Sequence, residues 1–190
     1  MTDPSALDTR DRLPDALRVL LEDYPRDGWQ ANPRFEGLVR FWLDRHLMFR
    51  RLTGLLAEDG ERLLDRALDA RAYGQRLARL GSTLVGELHG HHRIEDMHYF
   101  PVLARAEPRL ARGFEILERD HQTLDHHLAD FTDAANGLLG LVREGEPVHE
   151  AGPGFLWHLA GLERLLERHL VDEEELVVPV VLKHGERGLG

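Results

Sequence analysis

Six side chains of types that hold cations recur at matching intervals along this chain. In His91-His92-Arg93-Ile94-Glu95-Asp96 a histidine precedes a glutamate by four residues, a second acid follows that glutamate, and Pro101 stands six residues after it. The same plan returns 78 positions later in His169-Leu170-Val171-Asp172-Glu173-Glu174, again with a proline, Pro179, six residues on. Residues four apart on a helix lie one turn above each other on one face, so each copy aims an imidazole and a carboxylate at a common point. Each copy also has a histidine upstream: His46 precedes His91 by 45 residues and His121 precedes His169 by 48.

One histidine on an apolar stripe is ordinarily a hydrogen-bonded core residue. Here four fall on core steps of four segments, and two carry a glutamate one turn on. A buried carboxylate is costly unless it is paired or bound to a cation, so these groups either neutralise one another or share a metal. Duplication of the whole pattern favours the metal. With no cysteine in the chain, thiolate sites are excluded, and a mixed imidazole and carboxylate set suits iron or manganese better than zinc. Two octahedral ions offer roughly twelve positions. Two bridging glutamates, four histidines and an oxygen bridge fill about ten of them, leaving about two for an exogenous ligand.

The elements that must position these groups read as four amphipathic helices. Asn32-Pro33 is a cap and first-turn proline for the first, whose stripe is Phe35, Val39, Trp42, His46, Phe49 and Leu56, ending near Gly60. The second begins after Asp69, carries Leu77, Leu80, Leu84, Leu88, His91 and Glu95, and is stopped or kinked by Pro101. Pro108 opens the third, with Leu110, Phe114, Leu117, His121, Leu124, Leu128, Phe131 and Ala135; the fourth carries Phe155, His158, Leu162, Leu165, His169, Glu173 and Leu176 and is expected to stop near Pro179. A shorter helix from Pro14, ending before Pro25, covers one end. The expected fold is an all-α, up-down-up-down four-helix bundle with a short additional N-terminal helix. Its boundaries divide the chain into an N-terminal tail and short helix (1–31), the bundle (32–182) and a frayed tail (183–190).

Composition narrows the function. Lys and Arg total 24 against 34 Asp and Glu, a formal net charge of −10, which disfavours a nucleic-acid partner. No segment approaches the roughly 18 apolar residues of a membrane helix, and Met1-Thr2-Asp3-Pro4-Ser5 lacks a basic region followed by an apolar run, so the expected location is cytoplasmic, without membrane association.

Taken together, His46, the His91 to Pro101 motif, His121 and the His169 to Pro179 motif resemble the hemerythrin-like, or HHE cation-binding, domain family over about residues 33 to 180. The resemblance implies a bundle holding two non-haem iron ions, oxo- or hydroxo-bridged, with His46, His91, His121 and His169 as terminal ligands and Glu95 and Glu173 as bridges. It implies a role in binding or responding to oxygen, nitric oxide or peroxide. In one place the sequence departs from the oxygen carriers: they have a second histidine one turn after the third-helix histidine, where this chain has Asp125. Either Asp125 ligates through oxygen or that iron keeps an extra open position, and both readings argue against simple reversible oxygen storage. His92 is a further candidate ligand, and His98, on the face of Glu95, is a candidate support or access residue.

Three functions compete on this reading. The first is a di-iron protein that binds or responds to a small diatomic or peroxide ligand. The second is a peroxide-decomposing or iron-oxidising oxidoreductase on the same centre, and the third a helical interaction module with structural His-Glu pairs. Glu95-x-x-His98 and Glu118-x-x-His121 also spell a ferritin-like pattern, which leaves the repeated His-x-x-x-Glu unexplained.

Overall fold

A computed structural model describes residues 3–188. Four long helices form a helical bundle: α1 Leu38–Leu64, α2 Ala70–Ile94, α4 Ala111–Glu144 and α5 Gly152–His184, with a short α3, Phe100–Ala106, between α2 and α4. No strand occurs among the described residues. None of the helices among them is long and apolar enough to cross a membrane.

The chain divides into two compact units. One comprises the chain up to Leu47, His91–Thr123 and the chain from Leu166; it gathers the starts of α1 and α4 with the ends of α2 and α5, as consecutive antiparallel helices require. All six residues singled out as metal ligands belong to it. Its apolar cluster includes Leu13, Leu17, Leu20 and Trp29 from the N-terminal segment with Trp42, Phe100, Phe114 and Val178. The other unit, Met48–Gly90 and Leu124–Leu165, is filled by leucines around Tyr73, Phe131 and Phe155, whose rings meet at 6.5 Å (Tyr73 to Phe155) and 5.6 Å (Phe131 to Phe155).

Several boundaries differ from the sequence expectation, each for a local reason. The helix expected from Pro14 is realised as short 3-10 turns at Asp15–Leu17 and Val19–Leu21, followed by Arg26–Ala31. Asn32 does not start α1: its side chain accepts the Arg34 N–H at 2.9 Å and closes a local turn. Gly37 then takes a φ of +81°, where a side chain would meet the Glu186 carboxylate, and the helix begins at Leu38, whose N–H that carboxylate caps. At its far end α1 continues past Gly60, whose role is close packing, since a Cβ there would come within 2.6 Å of Leu156. Asp69 behaves as anticipated, its Oδ1 accepting from the Arg71 and Ala72 N–H groups at 3.1 and 3.0 Å.

The two motif prolines behave differently. Pro101 does not stop the helical run: the turn before it, Glu95–Tyr99, widens to a π-helix in which the Phe100 N–H reaches back to the Glu95 carbonyl, and α3 then continues. The widened turn relieves the clash a proline ring makes with the carbonyl four residues earlier. Pro179, expected to end the last helix, lies inside α5. An interior proline costs about 3 kcal/mol. Val177, Val178, Val180, Val181 and Leu182 are all buried around it, and each such side chain returns about 1.5–3 kcal/mol, so the helix continues to His184. Lys183, expected in a frayed tail, donates to Glu107.

Candidate metal centre

His46 comes from α1, His91 and His92 from the last turn of α2, Glu95 from the first position of the π turn, His121 from α4, and His169 and Glu173 from α5. All are buried except His91, which is slightly open. The His46 and His91 Nε2 atoms face each other at 3.2 Å. Glu95 directs Oε1 to His91 Nε2 at 2.9 Å and Oε2 toward His121 Nε2 at 3.6 Å. Glu173 does the same on the other side, with Oε1 3.4 Å from His46 Nε2 and Oε2 3.4 Å from His169 Nε2. Each carboxylate therefore offers one oxygen to each of two groups of imidazoles.

These groups are distinct. His46, His91, Glu95 and Glu173 each offer an atom within 4.8 Å of the others, and so do His92, His121 and His169. All six residues singled out by spacing are brought together, and His92 joins them. Its ring stacks on His121 with centroids 3.9 Å apart and planes 8° from parallel. Asp125, the alternative extra ligand, is not there: it lies half exposed, paired with the equally exposed His89 at 3.4 Å. The extra imidazole beside His121 thus comes from α2 and not from one turn further along α4. Glu118 is exposed, so the Glu118-x-x-His121 pattern builds nothing. His98 is exposed too and lines a surface pocket of about 490 Å³ with Leu38 and Tyr99. Tyr99 in turn packs edge-on against Trp42, with centroids 4.8 Å apart, and the Trp42 indole N–H donates to Glu173. Of the other histidines, His126 and His149 are exposed and His127, His158 and His184 half-buried.

Behind three of the imidazoles stands a carboxylate facing Nδ1: Glu174 for His46 at 3.0 Å, Asp96 for His121 at 2.8 Å and Asp120 for His169 at 3.4 Å. Such a partner fixes the tautomer and turns the Nε2 lone pair inward. The support is crossed. The acid trailing the first motif, Asp96, holds the histidine of the second hairpin, and the acid trailing the second motif, Glu174, holds that of the first.

The donor set fits a cation. Both ring nitrogens of His92, both oxygens of Glu95, Nε2 of His121 and His169, and Oε2 of Glu173 are buried without a hydrogen-bond partner. So many unsatisfied polar atoms in one place would cost several kcal/mol without a shared ligand. Burial pushes His91 down to about 3 and His92 well below the ordinary imidazole value, and also lowers His121 against the pull of Asp96, leaving three neutral rings. Burial, with the neighbouring Glu173 charge, drives Glu95 well above the carboxylate range. Burial opposes ionisation of Glu173 as well, but His46 and His169 outweigh it and hold that carboxyl low. His169 rises to about 9 despite burial, through Asp120 and Glu173. Despite its burial His46 is raised too, by Glu173 and Glu174, so protons on His46 and His169 supply positive charge where a cation would.

The model of the Hemerythrin HHE cation binding domain matches residues 37–181. No curated protein and no solved structure matches the chain.

Proposed function

The chain belongs to the hemerythrin HHE cation-binding family, and from that premise and the geometry of its buried cluster we propose that it is a non-haem di-iron protein that binds or responds to a small ligand such as oxygen, nitric oxide or peroxide. The observation that carries the reading is the pair of glutamates, each with one oxygen toward His46 and His91 or toward His121 and His169. One ion needs only one such arrangement; two carboxylates, each split between two imidazole groups, suit a pair. His46 and His91 would hold one ion and His92, His121 and His169 the other, with Glu95 and Glu173 between them. The imidazole and carboxylate donors suit iron.

Bound there, an iron pair supplies Lewis-acid and redox chemistry to a small molecule. The protein's own side chains do the rest. Asp96, Asp120 and Glu174 orient the imidazoles, Trp42 fixes one oxygen of Glu173, and the buried rings of Trp42 and Phe100, against His91 and His121, help keep bulk water out. With His92 added, five imidazoles and two shared carboxylates would supply about nine of the roughly twelve donor positions that two octahedral ions take. The two-histidine position carries fewer protein donors, so an exogenous ligand would be taken there.

Metal-free chain reconstituted with ferrous iron is expected to take up two irons per chain and to show near-ultraviolet bands that shift on addition of azide. Uptake of one iron or none, or bands indifferent to azide, would overturn the proposal.

A further inference from the structure

The residues ahead of the family match contribute a group to this centre that the match itself does not contain. Arg10 is buried, its side chain 1% exposed. Its guanidinium donates from Nε to Asp172 Oδ2 at 2.8 Å, from one terminal nitrogen to Asp120 Oδ1 at 2.8 Å and the Ser5 carbonyl at 2.9 Å, and from the other to Asp120 Oδ2. Asp120 Oδ2 is the atom that faces His169 Nδ1. The fork of the arginine therefore grips both oxygens of the carboxylate that orients one ligand imidazole. It also ties that carboxylate to Asp172, the neighbour of Glu173, which Arg168 and the Leu13 N–H hold from other sides at 2.6 and 3.1 Å.

A planar fork bound to both oxygens sets the carboxylate's direction, which a single point charge would not. Without it, Asp120 and Asp172 would be two buried carboxylates facing one another across the space the guanidinium fills, and their repulsion would swing Asp120 away from His169. Arg26 makes a looser version of the same arrangement at the other imidazole group. It donates to Glu174 Oε2 at 2.6 Å, and Glu174 Oε1 faces His46, but the Arg26 side chain is 48% exposed.

We propose that Arg10 is a positioning residue of the metal centre: through Asp120 it fixes the His169 ring with Nε2 inward, so that the N-terminal segment sets how firmly the three-histidine position holds its ion. This rests on the di-iron reading of the cluster. Losing a group that orients a metal-binding histidine typically costs about ten- to a hundred-fold in affinity. The effect is expected on one ion of the two, which a general loosening of the fold would not produce.

The test uses the full chain loaded with iron and challenged with excess chelator, with iron release followed by the absorbance of the iron–chelator complex. The Arg10→Met variant is expected to release one iron about ten-fold or more faster than the parent while the other leaves at the parental rate. Arg10→Lys, which keeps the charge and loses the fork, should fall between. Asp120→Asn should reproduce the fast phase, and the double variant should be no faster than either single one, because both interrupt the same relay. Parental release of both irons from folded Arg10→Met, or equal acceleration of both, would overturn the proposal. So would additive effects of the two substitutions, and the Arg10→Lys and Asp120→Asn pair carries this comparison if Arg10→Met does not fold. A parent chain that takes up no iron would sink the metal reading itself, an outcome distinct from all of these.

Discussion

Replacing His92 by leucine is expected to move stability in opposite directions with and without metal. In the metal-free chain His92 is 4% exposed and neither ring nitrogen has a hydrogen-bond partner. A buried polar atom left unsatisfied costs about 1–3 kcal/mol. Leucine removes both such atoms but forfeits the stack on His121, worth about 0.5–1.5 kcal/mol. Taking the lower end of that range for each of the two nitrogens, the net gain is about 0.5–1.5 kcal/mol, which for a chain of this size raises the melting temperature by roughly 1–6 °C. In iron-loaded protein the sign reverses: a donor is lost from the three-histidine position, occupancy falls toward one ion, and ligand-linked stabilisation falls with it. Melting curves of chelator-treated and iron-loaded His92→Leu, with a metal count on each, decide the matter. A metal-free variant that melts below the parent while the loaded one keeps two irons would show that His92 is an ordinary packed histidine and refute the reasoning.

Two further outcomes follow from groups already described. In the metal-free chain His169 titrates near 9 against its usual 6.5, so its proton stabilises the fold below about pH 6.5 and that contribution is lost as pH rises through about 9. His91, held down at about 3, costs stability as pH falls from 6.5 toward 3. The metal-free melting temperature should therefore peak near pH 6.5, whereas iron-loaded protein, whose ligand imidazoles must be neutral and carboxylates ionised, should gain stability above it. A metal-free profile without a maximum would contradict this. In the other unit, Asp69→Ala removes the cap of α2, at a cost of about 1 kcal/mol or roughly 2–4 °C, and is expected to leave iron content unchanged; a loss of iron would contradict the assignment of that residue to capping alone.

The sequence discloses the four long helices and the six spaced ligand candidates because period and duplication are local signals. His92 carried no such signal on its own. It is adjacent to His91 and so points about 100° away around the helix, yet it stands three residues before Glu95, on that residue's face, and the histidine expected near Asp125 is missing. Those two clues together single it out. The second acid of each motif was visible as a repeat, but which histidine it supports depends on packing between hairpins. Arg10 lies 110 and 162 residues from its two acids, and pairings at that separation leave no periodic trace. Pro179 by itself signals a helix end, and what carries α5 past it, the burial of Val177, Val178, Val180 and Val181, depends on packing that local sequence does not display.

The crossed placement of Asp96 and Glu174 makes neither hairpin self-sufficient. A lone first hairpin would present His46, His91 and Glu95 with the strut for His46 missing, and a lone second hairpin would lack the strut for His121. Capture of metal is then contingent on both halves having already met. Emerging nascent chain would be a poor scavenger of metal until its final helix is in place, and a filled centre would certify completed assembly.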